Sequence, residues 1–73
     1  MKEKKMCKLK IVGLAERERR LFKMYLYEIG YTLEDVGTIE AVREVEVKKL
    51  KKFVELLNGN IEILDTWEVA NYF

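Results

Sequence analysis

The sequence predicts a mainly α-helical domain with one short β-strand near its start, built to pair with a second copy of itself. Three observations lead there. Lys8-Leu9-Lys10-Ile11-Val12 alternates polar and apolar residues with the period of a half-buried strand. Two longer proline-free stretches follow, with apolar residues at spacings of three and four. And 49% of a 73-residue chain is hydrophobic, more than so small a core readily hides, while domains of this size are marginally stable alone.

Residues 1–5 read as a flexible basic arm ahead of the strand. In the strand, Leu9 and Ile11 point one way and Lys8, Lys10 and Val12 the other, and Gly13 bends or ends it. Residues 15–29 form a first helix with an apolar stripe of Leu21, Phe22, Tyr25, Leu26 and Ile29. Gly30 suits the left-handed residue just past a helix end, and Tyr31 can pack back over it. Thr32, with Asp35 three residues on, makes an approximate capping box for a second helix. That helix carries Leu33, Val36, Ile39, Val42 and Val45, and its pattern extends through Leu50, Phe53, Val54 and Leu57 with Lys48, Lys49, Lys51 and Lys52 outside. The β-branched Val45-Glu46-Val47 leaves open a break near residue 46, and Asn58-Gly59-Asn60 is a stop. The domain thus spans 6–57. Residues 58–73 are expected as a short helical or irregular extension, although Ile61-Glu62-Ile63 alternates like a strand.

Composition excludes much chemistry. The chain has no His, Ser, Gln or Pro, and Cys7 is its one cysteine. An intramolecular disulfide, a Cys/His metal site and Ser–His or Cys–His nucleophiles are therefore ruled out. Carboxylates sit at solvated spacings, so a non-enzymatic protein without metal or cofactor is expected. No run of 18 apolar residues exists, and the lysine-rich start is not followed by an apolar signal stretch. With one cysteine, a cytoplasmic, reducing location is expected. The charged fraction of 37% with few labile side chains matches thermophile usage.

The net charge of +1 hides strong segregation. Nine of the fourteen basic residues lie in 1–23 against Glu3, Glu16 and Glu18, whereas 59–73 hold Glu62, Asp65 and Glu68 and no base. A basic first third points one face at an anion.

A short basic strand, a helix from Arg17 to Ile29, the turn Gly30-Tyr31-Thr32 and a second helix follow one another over residues 6–46. This order resembles the ribbon-helix-helix family, the MetJ/Arc type of β-ribbon DNA reader. In length the chain also looks like small members of that family encoded by spindle-shaped viruses of hot-spring archaea. The resemblance implies a homodimer: two strands pair antiparallel between chains, four helices interlock beneath, and the ribbon reads the major groove as a transcriptional regulator. It implies base contacts from Lys8, Lys10 and Val12, and phosphate contacts from Lys5, Arg17 and the amides of Thr32 and Leu33. It implies a dimer core of Leu9, Ile11, Leu21, Tyr25, Ile29, Val36 and Ile39. Double-stranded DNA and a second copy are then the partners.

Two alternatives stand beside this reading. One is a protein-interaction or assembly module, an antitoxin-like dimer whose C-terminal segment with Trp67, Tyr72 and Phe73 engages another protein. The other is architectural: strand 8–12 pairs with Ile61-Glu62-Ile63-Leu64 of the same chain in a β-α-α-β monomer, with Glu62 near Lys8 or Lys10.

Overall fold

The computed structural model describes residues 2–71. The described elements are β1 (Lys2–Val12), α1 (Glu16–Glu28), β2 (Thr38–Arg43), α2 (Glu44–Leu56) and β3 (Asn60–Asn71). They make one antiparallel sheet in the order β2-β1-β3, with β1 central. Helix and strand are about equal. The expectation of a mainly α chain with one strand, forming its ribbon with a second copy, is therefore corrected. Both edges of residues 6–10 of β1 are occupied by strands of the same chain, Met6 opposite Arg43 and Trp67 at one end and Lys10 opposite Thr38 and Glu62 at the other. No edge of that stretch is left for a twin strand. The intrachain pairing of 8–12 with 61–64 is the alternative that the structure adopts, with a further strand on the other side of β1.

Alternation in β1 works as the sequence implies. Cys7, Leu9 and Ile11 are buried, and Lys8, Lys10 and Val12 lie on the opposite face. The inward residues join Ile39 and Val42 of β2, Ile61 of β3, Phe22 and Leu26 of α1, Leu50 and Val54 of α2, and Leu33 in a single core. Both helices thus cover one face of the sheet, and among the described residues no element covers the other. Phe53 of α2 bridges the helices: it stacks on Tyr25 at 4.6 Å between ring centroids and meets Phe22 at 5.8 Å.

α1 begins without a side-chain cap, but Glu16 and Glu18 sit in its first turn, where the dipole favours them. It ends as expected. Gly30 has φ +90°, its N–H donates to the Tyr27 carbonyl, and the Tyr31 N–H donates to the Leu26 carbonyl. α2 closes the same way through Asn58 (φ 66°), with the Gly59 N–H donating to the Val54 carbonyl at 2.9 Å.

The second helix expected from Thr32 does not form there. Residues 31–37 are a connection, turned by the Gly37 N–H donating to the Glu34 carbonyl and pinned where the Arg19 guanidinium donates to the Asp35 carbonyl at 2.6 Å. Gly37 has φ +86°, and the Thr-Ile-x-x-Val run after it is β-branched, which favours a strand over a helix. Ile39 and Val42 stand three residues apart, yet both face the core. A bulge makes this so: β1 advances two residues from Cys7 to Leu9 while β2 advances three, from Val42 to Ile39. Leu33 is buried from the connection, whereas Val36, placed in a helical dimer core by the sequence pattern, is exposed. The chain then passes straight from strand to helix at Arg43–Glu44, close to the break left open near residue 46.

The extension expected from 58 onward is the strand β3, not a helix. It pairs with β1 from Val12↔Asn60 to Lys2↔Asn71, so residues 2–5, expected as a free arm, are rungs of the ladder. A second bulge lies where Lys8 faces Asp65 but Leu9 faces Ile63, leaving Leu64 extra. β2 reaches only to Met6 on the other side, so β1 and β3 run on past it as a two-stranded projection, and the molecule measures 42 × 22 × 21 Å.

The basic central strand and the β3 edge

The residues expected to read bases share one face of β1, but each has polar neighbours within the sheet. Lys8 faces Asp65 across β3, and its Nζ lies 3.6 Å from Glu40 of β2. Lys10 stands opposite Glu62, and Val12 opposite Asn60. Three residue pairs beyond Lys8, Lys5 faces Glu68 on the helix-bearing side. Opposite charges directly across a ladder stabilise it by about 0.2–1 kcal/mol each. The basic strand is thus matched by the acidic strand on one side and by Glu40 on the other.

The expected phosphate contacts are not gathered. Arg17 is exposed in the first turn of α1, which follows the end of β1. Lys5 lies seven residues back along β1 from Val12, roughly 23 Å at the rise of a strand. Thr32 is exposed in the connection and Leu33 buried beneath it, and neither belongs to a helix N-terminus. Of the expected dimer core, Leu9, Ile11 and Ile39 are buried in the monomer and Tyr25 is partly so. Leu21, Ile29 and Val36 are exposed.

Cys7 sits at the centre of the sheet with 2% of its surface accessible. Burial pushes its thiol above the ordinary value of 9.0, Glu44 adds to the rise, and Lys5 opposes it. A raised, buried thiol is a poor nucleophile and a poor metal ligand at neutral pH. Arg43 is held in its charged form by the neighbouring Tyr31 hydroxyl and by Glu46, whose carboxylate accepts its hydrogen bond at 3.0 Å. Among the described residues no group of three His, Cys, Asp or Glu is placed to hold a metal ion, and no helix is long and apolar enough to cross a membrane.

Sequence reasoning offered residues 61–64 as a strand only in the alternative architecture; the full length of the outer strand and its open edge were not anticipated. β3 has twelve residues with β1 on one side and, among the described residues, no neighbour on the other. No strand pairs with its outward side among the described residues, and one of its amides is met locally, the Thr66 N–H donating to the Asp65 carboxylate at 2.9 Å. Ile63, Leu64 and Val69 are 56%, 48% and 45% exposed, and Trp67 is half-buried opposite Met6. Its charges are all acidic: Glu62, Asp65 and Glu68. Tyr72 and Phe73, which the sequence grouped with Trp67 as a sticky end, lie outside the described residues. The Ile61-Glu62-Ile63 alternation already pointed to the start of this strand; its continuation to Asn71 carries no equally clear alternation. No family model matches the chain, and neither a curated protein nor a solved structure matches it.

Proposed function

We propose that the chain is a protein-interaction module that takes up an extended segment of a partner by strand addition along β3. One observation carries this reading: a twelve-residue outer strand with no strand on its outward side among the described residues, bearing exposed Ile63, Leu64 and Val69. A long apolar edge left open is a template for another strand, and recognition domains use such edges. Main-chain hydrogen bonds give affinity, and side chains on alternate faces give selection.

Duplex DNA is the rival partner. Its best support is the run of lysines on β1, and the carboxylates of Glu40, Glu62 and Asp65 beside them weigh against it, because they would meet the same phosphates. The test is hydrogen exchange of the full chain with a panel of alternating polar–apolar peptides of basic, neutral and acidic charge, and with a DNA duplex at low salt. Strand addition is expected to slow exchange in β3 while leaving α1 and α2 unchanged. Protection confined to other elements, or a chain that binds only duplex DNA and loses that binding in Lys10→Ala, overturns the proposal.

A further inference from the structure

We infer that the segment accepted by β3 is a basic strand, with lysine or arginine placed to meet Glu62, Asp65 and Glu68; this rests on the strand-addition reading above.

The argument starts from what β3 already pairs with. Its inner side is read by β1, where Lys10, Lys8 and Lys5 stand opposite Glu62, Asp65 and Glu68. A residue in a sheet has one cross-strand neighbour on each side, so the same three carboxylates present themselves to a strand arriving from outside. Each has one lysine opposite it in the ladder, and Asp65 also accepts the Thr66 N–H at 2.9 Å; as acceptor-only groups with several lone-pair sites they can take a further donor.

The outer edge also discriminates. Apolar edges are commonly guarded by charge and by bulges, and β3 has both: three carboxylates and the extra residue Leu64. Glu62 and Asp65 lie with Lys8 and Lys10 on the uncovered face, while Glu68 lies with Lys5 on the helix-bearing face beyond the core. An acidic strand meets repulsion on both faces. A second copy of β3 brings three more carboxylates and no base to the seam. A basic strand meets a complementary charge on either face and finds Ile63, Leu64 and Val69 for its apolar residues. Specificity of this kind comes from the penalty on the wrong partner as much as from attraction to the right one.

Synthetic peptides copying residues 4–12 test the inference, because that segment is the one strand known to fit these carboxylates. One carries Cys7→Ser alone; a second adds Lys5→Gln, Lys8→Gln and Lys10→Gln; a third replaces the same lysines by Glu. Binding to the full chain is measured by fluorescence anisotropy at low and high salt, with hydrogen exchange locating the site. The basic peptide is expected to bind at least about tenfold more tightly than the acidic one, with the gap narrowing as salt screens the charges. Protection is expected in β3, with β2 unaltered. Equal binding of all three peptides along β3 overturns the charge selection and leaves strand addition standing. Slower exchange in β3 caused by self-association of the free chain names a second copy as occupant and also overturns it. A monomeric chain whose β3 amides none of the peptides protects overturns both readings.

Discussion

Gly59 shows how tightly single positions are set. A Cβ built there would lie 2.5 Å from Leu14 Cδ2 and 2.9 Å from Val54 Cγ1, and Val54 is fully buried. Leu14 can swing aside in part and Val54 cannot, so Gly59→Ala is expected to cost about 1–3 kcal/mol, read by urea denaturation. Asn58, by contrast, holds a left-handed φ of 66° at the end of α2, and Asn58→Gly should be neutral or slightly stabilising. Cys7 gives a pH signature. Its folded thiol titrates above the ordinary 9.0, so below that pH its contribution to stability is fully present. As pH rises past 9.0 the unfolded chain releases the proton while the folded chain keeps it, and stability falls until the folded thiol also ionises. Denaturation midpoints followed from pH 7 to 10.5 should show this decline, and Cys7→Ala should reduce it. The thiol should also resist alkylation in native buffer and react at once in denaturant.

Among the elements, α1 rests on few anchors: Phe22 and Leu26 in the core, and Tyr25 against Phe53. Phe53→Ala removes that stack and the contact with Phe22, with an expected loss of about 3 kcal/mol and earlier exchange of α1 amides than of β1 amides. The ion pair of Lys8 with Glu40 is partly exposed and long, so Lys8→Met should change stability by no more than ~1 kcal/mol. Legibility in the sequence divides along the same lines. β1, α1 and the Gly30 terminus could be read because each obeys one local rule: alternation, a three-and-four spacing, or a left-handed glycine. β2 could not, because its bulge sets Ile39 and Val42 three residues apart, and a strand with that spacing imitates a helix. β3 was obscured likewise, since Leu64 interrupts the alternation begun by Ile61 and Ile63. The outward face of β1 was legible as a set of residues. Of its carboxylate neighbours only Glu62 was named, in the alternative architecture; Asp65 and Glu40 were not, because partners across a sheet depend on strand order and register, which no local pattern encodes.

At the level of the whole molecule, the segregation of charge along the sequence becomes pairing in space. The basic first strand and the acidic last strand are neighbours, which reconciles strongly charged segments with a net charge of +1. The elongated shape follows from those two strands running past β2. Removal of residues 59–73 deletes β3, strips one whole side of β1 and takes Ile61 from the core. Loss of cooperative unfolding by circular dichroism is the expected result, and a truncated chain that still melts sharply would show the remaining elements to be self-sufficient.

Because β1 lies at the centre of the sheet and its longest partner β3 follows all the other described elements in sequence, the ladder from Lys2 to Val12 closes a loop around α1, β2 and α2. Such closure is entropically expensive and slow beside helix formation. During synthesis β1 waits, lysine-rich and open along one flank, until β3 leaves the ribosome. Like charges directly opposite one another destabilise a ladder, so the five lysines of that strand would disfavour pairing between two such open flanks until Glu62, Asp65 and Glu68 arrive.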